Sequence, residues 1–224
     1  MTRRFAVLRP EPGNAATCAR LRAGGHDAIA LSLFEIVGLP WTPPDPADFD
    51  ALVLTSANAV RAAGPSLAAF MQLPTFAVGA ATARAATAAG MTLAATGDDD
   101  AEALIAAAAR AGVARALHLG GRETRVVATG IVAASIAVYA SDPLPVDHAA
   151  LAAIIGATAL VHSPRAAERL RALVDEHGLG RGAIAIAALS PAVAQAAGSG
   201  WARVSIARQP SDAALIEAAV AASD

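Results

Sequence analysis

Short apolar runs alternate along this chain with longer stretches of helical character, and those stretches often stop at glycine, as helices do at their C-caps. The first unit reads as a strand over Phe5 to Leu8, a turn through Arg9-Pro10-Glu11-Pro12-Gly13, and a helix from about Asn14 to Gly24-Gly25. A strand from Asp27 to Val37 follows. Further strand and helix pairs are predicted at Ala51 to Thr55 with Ala57 to Ala63, and at Thr75 to Val78 with Thr82 to Ala89. Another pairs Ala116 to Leu119 with a short helix near Glu123, before the apolar run Ile131 to Val138. The second half repeats the scheme with Leu160 to His162 and Pro164 to His177, Ala183 to Leu189 and Pro191 to Ala197, and Val204 to Ala207 and Ser211 to Ala222. Such alternation predicts an α/β fold whose parallel sheets are covered by helices.

The halves also resemble each other. Leu52 to Arg61 parallels Leu160 to Ala167, Phe76 to Arg84 parallels Ile186 to Gln195, and Ala101 to Ile105 parallels Asp212 to Ile216. Spacing agrees, because 25 residues separate Gly79 from Leu104 and Ser190 from Leu215. Two similar parallel-sheet domains are therefore expected rather than one large sheet. Pro40, Pro43, Pro44 and Pro46 stiffen one segment, and Pro143 and Pro145 another, and both read as crossings between domains. One domain is then discontinuous, built from residues 1–33 and 144–224, with a domain of residues 40–134 inserted and linker strands at 34–39 and 135–143.

Composition narrows the function. Hydrophobic residues are 55% of 224 and mean hydropathy is +0.49, but much of this is alanine, which fills helices without making them span a membrane. The uncharged stretch Gly182 to Ala202 is broken by Ser190, Pro191, Gln195, Gly198, Ser199 and Gly200, and reads as strand, turn and helix. Met1-Thr2-Arg3-Arg4 leads straight into a strand without the apolar region of a signal peptide, so a cytoplasmic protein is expected. Cys18 is the only cysteine, which excludes an internal disulfide, and it is expected as a buried residue of the first helix. All 17 basic residues are arginine, so lysine Schiff-base and Walker-type phosphate chemistry are excluded. A net charge of −2 argues against a nucleic-acid surface.

In parallel α/β sheets ligands bind beyond the carboxyl ends of strands, where helix N-termini present unpaired N–H groups. Candidate turns here are Arg9-Pro10, Thr55-Ser56-Ala57-Asn58, Gly79-Ala80-Ala81-Thr82, Gly120-Gly121-Arg122, Ser163-Pro164-Arg165 and Ser190-Pro191-Ala192. Facing one another across a cleft, they would bind many carboxylates through backbone amides without a large positive charge. The histidines His26, His118, His148, His162 and His177 have no metal-ligand spacing, so no metal is expected. His118 and His162 end strands and are read as structural. Asp98-Asp99-Asp100 stands before a helix near Ala101 and is read as capping. Neither a GxSxG elbow nor a GxGxxG fingerprint occurs. Tyr139, the only tyrosine, ends the apolar run before the return crossing.

Taken in order, Leu54-Thr55-Ser56-Ala57-Asn58-Ala59-Val60, Ala77-Val78-Gly79-Ala80-Ala81-Thr82-Ala83, Val138-Tyr139, His162-Ser163-Pro164 and Pro210-Ser211-Asp212-Ala213-Ala214-Leu215 resemble the landmarks of the uroporphyrinogen-III synthase family. The resemblance covers nearly the whole chain. It implies two α/β domains joined by a two-stranded ladder, here Leu33 to Val37 against Ile136 to Tyr139. It implies a cofactor-free lyase whose substrate, hydroxymethylbilane, carries eight carboxylates held largely by backbone amides; a monomer is expected, with neither nucleic acid nor membrane as partner. In that family's chemistry the terminal hydroxyl leaves to give an azafulvene, which attacks the substituted carbon of the last pyrrole. A spirocyclic intermediate then fragments and recloses with that ring inverted. Tyr139 matches the tyrosine that hydrogen-bonds the departing hydroxyl, and Thr82 a cleft-facing threonine; both are expected as catalytic residues. The turn residues Arg9, Ser56, Ala57, Asn58, Gly79, Ala80, Ala81, Gly120, Gly121, Arg122, Ser163, Pro164, Arg165, Ser190, Pro191, Ala192 and Val193 are expected to bind substrate.

The chain departs from the family where Gly-Pro-Thr-Thr-Ala is common and Ser190-Pro191-Ala192-Val193-Ala194 stands instead, without the glycine or either hydroxyl. The stretch from Gly121 to Tyr139 is also shorter than usual for it. The competing expectations are a non-catalytic bilobal module of the same fold that binds a tetrapyrrole or another polyanion, and a periplasmic-binding-like receptor, which the missing signal peptide disfavours.

Overall fold

The computed structural model describes residues 2–97, 100–124 and 126–222. In chain order the strands and helices are β1 (Arg4–Val7), α1 (Gly13–Ala23), β2 (Asp27–Ala30), β3 (Phe34–Gly38), β4 (Ala51–Leu54), α2 (Ala57–Ala62), β5 (Thr75–Val78), α3 (Gly79–Ala88), β6 (Leu93–Gly97), α4 (Ala101–Arg110) and β7 (Ala116–Gly121). They continue with β8 (Val132–Pro143), α5 (His148–Ala152), β9 (Thr158–Val161), α6 (Pro164–Glu176), β10 (Ala185–Ala188), α7 (Pro191–Ala197), β11 (Arg203–Ile206) and α8 (Asp212–Ala221). Two compact units result, residues 1–35 with 143–224, and residues 36–142.

The first unit holds a five-stranded sheet in the order β11-β10-β9-β1-β2, parallel throughout. Helices cover both faces, so the inner strands have no solvent side and β9 is buried at every position. On one face α5, α6 and α7 pack Leu151, Leu170, Leu173, Val193 and Ala197 onto Ala159, Val161 and Ile186. On the other, Cys18 and Leu21 of α1 and Leu215 and Ala219 of α8 meet Phe5, Val7 and Leu160. Cys18 is thus a small buried residue of the first helix.

The second unit holds a six-stranded sheet in the order β3-β8-β7-β4-β5-β6. Strands β4 to β8 pair in parallel. Strand β3 runs the other way: Leu39 N–H donates to Val138 O at 2.9 Å and Leu144 N–H to Leu33 O at 3.0 Å, so numbers rise on one strand as they fall on the other. Here α2 and α3 bury Ala59, Val60 and Ala86 against Leu52, Leu54, Leu117 and Leu119, and α4 buries Leu104 and Ala108 against Val53 and Phe76.

Laid side by side, β11-β10-β9-β1 and β6-β5-β4-β7 are the same sequence of strands in both sheets, which is the internal repeat in three dimensions. Leu104 and Leu215, matched by spacing, are both buried in the helix that follows the outermost of these strands. The repeat differs at one point. Helix α1 joins β1 to β2, whereas among the described residues no helix joins β7 to β8.

Three expectations need correction. The strand over Asp27 to Val37 is two strands in two sheets: Leu31 N–H and Leu33 N–H follow Val7 O and Leu8 O, and Ser32 Oγ bonds Arg9 O at 3.1 Å, after which β3 takes β8 as partner. Hydrophobic pattern carries no sign of such a change of partner. No helix forms at Glu123, where the chain makes a turn with Thr124 N–H on Gly121 O at 3.0 Å. Helix α3 begins at Gly79 and not at Thr82, because Gly79 takes φ of 77°, a left-handed conformation that only glycine adopts cheaply and that swings the chain directly from β5 into the helix. Strand β6 and helix α5 were not foreseen from the pattern.

Candidate active site

The candidate turns lie at the carboxyl ends of adjacent parallel strands, so in each unit they gather on one edge of its sheet. In the second unit these strands are β7, β4 and β5, and the turns bring together Ser56, Ala57 and Asn58, Gly79 to Thr82, and Arg122. Ser56 caps α2, its Oγ accepting from Asn58 N–H at 3.1 Å, and Asn58 Oδ1 accepts from Arg61 at 3.0 Å. Among the described residues no side chain caps α3. Its first N–H groups, on Gly79, Ala80 and Ala81, therefore stand without intrahelical or capping partners, and Ala80 and Ala81 are exposed. Thr82, expected as a catalytic side chain, is 4% exposed and lies on the buried side of that helix.

Gly120 and Gly121 belong to β7 and do not open a helix, which corrects their expected role as amides at a helix N-terminus. The β7–β8 ladder slips here: Gly120 faces Ala137 and Gly121 faces Tyr139, leaving Val138 as the extra residue of a bulge. Pairing continues past the slip, with Arg122 N–H on Tyr139 O at 2.8 Å. The half-buried Tyr139 ring packs beside the cluster of Leu117, Leu119 and Val138. The Arg122 guanidinium pairs with Asp142 and, at 3.2 Å, with Glu123.

On the other side of β7, His118 is fully buried. Ser135 Oγ donates to Val126 O at 3.0 Å, so it accepts from His118 Nδ1–H at 2.8 Å, which leaves Nε2 to accept the Thr55 hydroxyl at 3.0 Å. Burial lowers the His118 pKa to about 4, so this ring is neutral and the chain of bonds keeps one direction. Thr55 is the last residue before Ser56 and α2, so the network anchors that turn.

In the first unit the strands are β10, β9 and β1, which bring Arg9, Ser163 to Arg165 and Ser190 to Val193 to one edge. Ser163 Oγ caps α6 by accepting from Ala166 N–H at 3.2 Å, and Arg165 lies 4.6 Å over the Phe34 ring. Ser190 Oγ caps α7, accepting from Val193 N–H at 3.4 Å. Val193, expected to touch substrate, has its N–H so engaged and its side chain in the core. Pro164 and Pro191 have no N–H to give.

Asp212, which the sequence marked within the repeat and the family landmarks but not as a site residue, is the hub of this edge. It accepts from Thr17 Oγ1 at 2.7 Å and His162 Nε2 at 2.8 Å, and pairs with Arg20 and, at 3.4 Å, with Arg9. Burial works to raise its pKa, but the His162 and Thr17 hydrogen bonds and the Arg9 charge prevail and hold the carboxyl well below the usual range. Arg9 is therefore partly neutralised from within. No spacing signal links Thr17, His162 and Asp212. His162 itself is held neutral, because burial outweighs the pull of Asp212.

The aspartates before α4 divide: Asp100 Oδ1 accepts from Glu102 N–H at 2.9 Å and caps the helix, while Asp98 and Asp99 lie outside the described residues. Among the described residues no helix is long and apolar enough to cross a membrane.

Comparison with known proteins completes the description. A family model described as "Uroporphyrinogen-III synthase HemD" matches residues 15–217. No curated protein matches the sequence. The crystal structure of uroporphyrinogen-III synthetase from Helicobacter pylori is similar, with a TM-score of 0.66 at 18% identity, covering 99% of this chain and 100% of that one. A mutant uroporphyrinogen III synthase from Thermus thermophilus gives 0.56 at 14% identity, with 96% of each chain covered. At such identities the structures speak for the fold, and the family model speaks for descent.

Proposed function

This chain belongs to the uroporphyrinogen-III synthase family, and from that premise we propose how its own residues serve the family's reaction. The reaction is that of a cyclising lyase in tetrapyrrole biosynthesis: a linear tetrapyrrole loses water and closes with its last ring inverted. The match over residues 15–217 is the observation that carries this reading.

The substrate is taken to be hydroxymethylbilane, and the chemistry asks chiefly for positioning. Closure without inversion happens unaided, so the protein has to hold the last pyrrole where its substituted carbon meets the azafulvene. Carboxylates are the natural handles. The uncapped start of α3 offers the N–H groups of Gly79, Ala80 and Ala81 together with the positive end of the helix dipole, which suits one such group. In this reading the capped starts of α2, α6 and α7 serve less, with Ala57, Arg165 and Ala192 supplying the remaining N–H groups near Ser56, Asn58, Ser163 and Ser190. Arg122 and Arg9 act as partly neutralised cations. Thr82, buried on α3, is assigned to positioning the Gly79-Ala80-Ala81 turn.

Tyr139 is assigned the hydrogen bond to the departing hydroxyl, a modest general-acid role worth roughly 10²-fold or more. The proton goes to the leaving oxygen, and the pyrrole nitrogen supplies the electrons that form the azafulvene. A small-molecule reaction of this kind calls for neither nucleic acid nor membrane, and the reading takes the protein as a cytoplasmic monomer. The test is a coupled assay that generates hydroxymethylbilane in place. Wild type is expected to form isomer III, and Tyr139→Phe to form it about 10²-fold more slowly at an unchanged melting temperature. A variant as fast as wild type, or one that unfolds with specific activity intact, contradicts the assignment.

A further inference from the structure

The Tyr139 ring occupies space that a side chain would normally fill. A Cβ built on Gly121 would lie 2.8 Å from Tyr139 Cζ, 3.0 Å from Cε2 and 3.0 Å from the hydroxyl oxygen. Carbon atoms in contact ordinarily stand about 3.5–4.0 Å apart, so the ring and any residue larger than glycine cannot share the site. Gly121 is not among the glycines with positive φ, and its backbone is ordinary strand. The glycine is there for room and not for conformation.

The surrounding backbone has little freedom to yield. Strand β7 lies between β4 and β8 in the sheet, Arg122 N–H bonds Tyr139 O at 2.8 Å, and Leu39 N–H bonds Val138 O at 2.9 Å on the far side of β8. The Arg122–Asp142 ion pair links the two strands just beyond. The bulge at Val138 is what turns Tyr139, and not its neighbour, towards Gly121. If a methyl group were added at Gly121, the ring would have to move, because it is the far end of a side chain while everything else is bonded on both sides.

We propose that Gly121 is a positioning residue: its missing side chain seats the Tyr139 ring against β7 and thereby fixes where the hydroxyl stands. The proposal rests on the assignment of Tyr139 to the departing hydroxyl. It reassigns Gly121 from substrate contact to support of the group that makes one.

A double-mutant cycle on the full chain tests it. Gly121→Ala is expected to lower kcat about tenfold to a hundredfold with KM nearly unchanged, since a displacement of about 1 Å at a reacting group costs on that order. In a Tyr139→Phe background the same substitution is expected to cost nothing further, because the hydroxyl it misplaces is already gone. Tyr139 is the only tyrosine, so isotope-labelled tyrosine gives a single NMR ring signal, and that signal is expected to shift in Gly121→Ala. An equal fold-loss in both backgrounds, or an unmoved ring signal, overturns the role of Gly121 alone. Wild-type kcat in Tyr139→Phe by itself overturns the underlying assignment of Tyr139, and the proposal with it. Should Gly121→Ala lower the melting temperature, adding Tyr139→Leu is expected to restore it by removing the ring; failure to restore it would mean that the backbone is the obstacle and would contradict the proposal.

Discussion

At the scale of single residues, the decisive features are rings held in particular places. His118 is the sharpest case for stability, because burial lowers its pKa from 6.5 to about 4. Between those values the unfolded chain binds a proton that the folded chain refuses, so stability rises with pH across that window and levels off above about 6.5. By about pH 5 the protein should have lost roughly 2 kcal/mol relative to neutral pH through this residue. Histidine NMR is expected to show the His118 ring still neutral at about that pH, and urea unfolding to show the matching loss. A midpoint for every histidine near 6.5 would contradict the buried network of Thr55, His118 and Ser135. Tyr139 was conspicuous in the sequence because it is the lone tyrosine at the end of an apolar run. The contact of Gly121 with Tyr139, the hub position of Asp212 and the partners of His118 were not, because a close approach of ring to backbone or a carboxylate shared by Thr17 and His162 leaves no mark in spacing.

Among the elements, helix starts were the most legible part. Ser56, Asp100, Ser163, Ser190 and Ser211 each stand one residue before a helix and accept from its first turn. Helices α1 and α3 start without such a side-chain cap, and the start of α3 carries a test whose two readouts move apart. Ala81→Asp places an acid beside the open N–H groups, where it favours the dipole and competes with a substrate carboxylate. KM is expected to rise about tenfold or more while the melting temperature stays level or rises; unchanged KM would remove α3 from the binding assignment. What the pattern misjudged followed from pairing. Gly120-Gly121-Arg122-Glu123 reads as a strand running into a helix, but the bond from Arg122 to Tyr139 extends the ladder instead. Likewise one apolar run from Asp27 to Val37 serves two sheets, since local sequence does not encode which strand lies alongside.

For the molecule as a whole, the repeat of strand order is what the internal sequence similarity meant. The matches around Leu54 and Leu160, and around Val78 and Ala188, mark strands in equivalent places, and each is followed by the turn that could hold ligand. Among the described residues the short connection between β7 and β8 has no helix like its counterpart α1, and the β7–β8 register sets Tyr139 opposite Gly121. The altered Ser190-Pro191-Ala192-Val193 turn, with the Val193 N–H engaged by Ser190 Oγ and no N–H on Pro191, shifts the binding assignment towards α3.

The central claim is that this chain closes a linear tetrapyrrole with inversion by holding it in place. The direct measurement is the ratio of isomers III and I after oxidation to porphyrin, with hydroxymethylbilane generated in the presence of native or heat-denatured protein. Native protein is predicted to yield predominantly isomer III, and denatured protein isomer I. An isomer ratio unmoved by native protein would contradict the account.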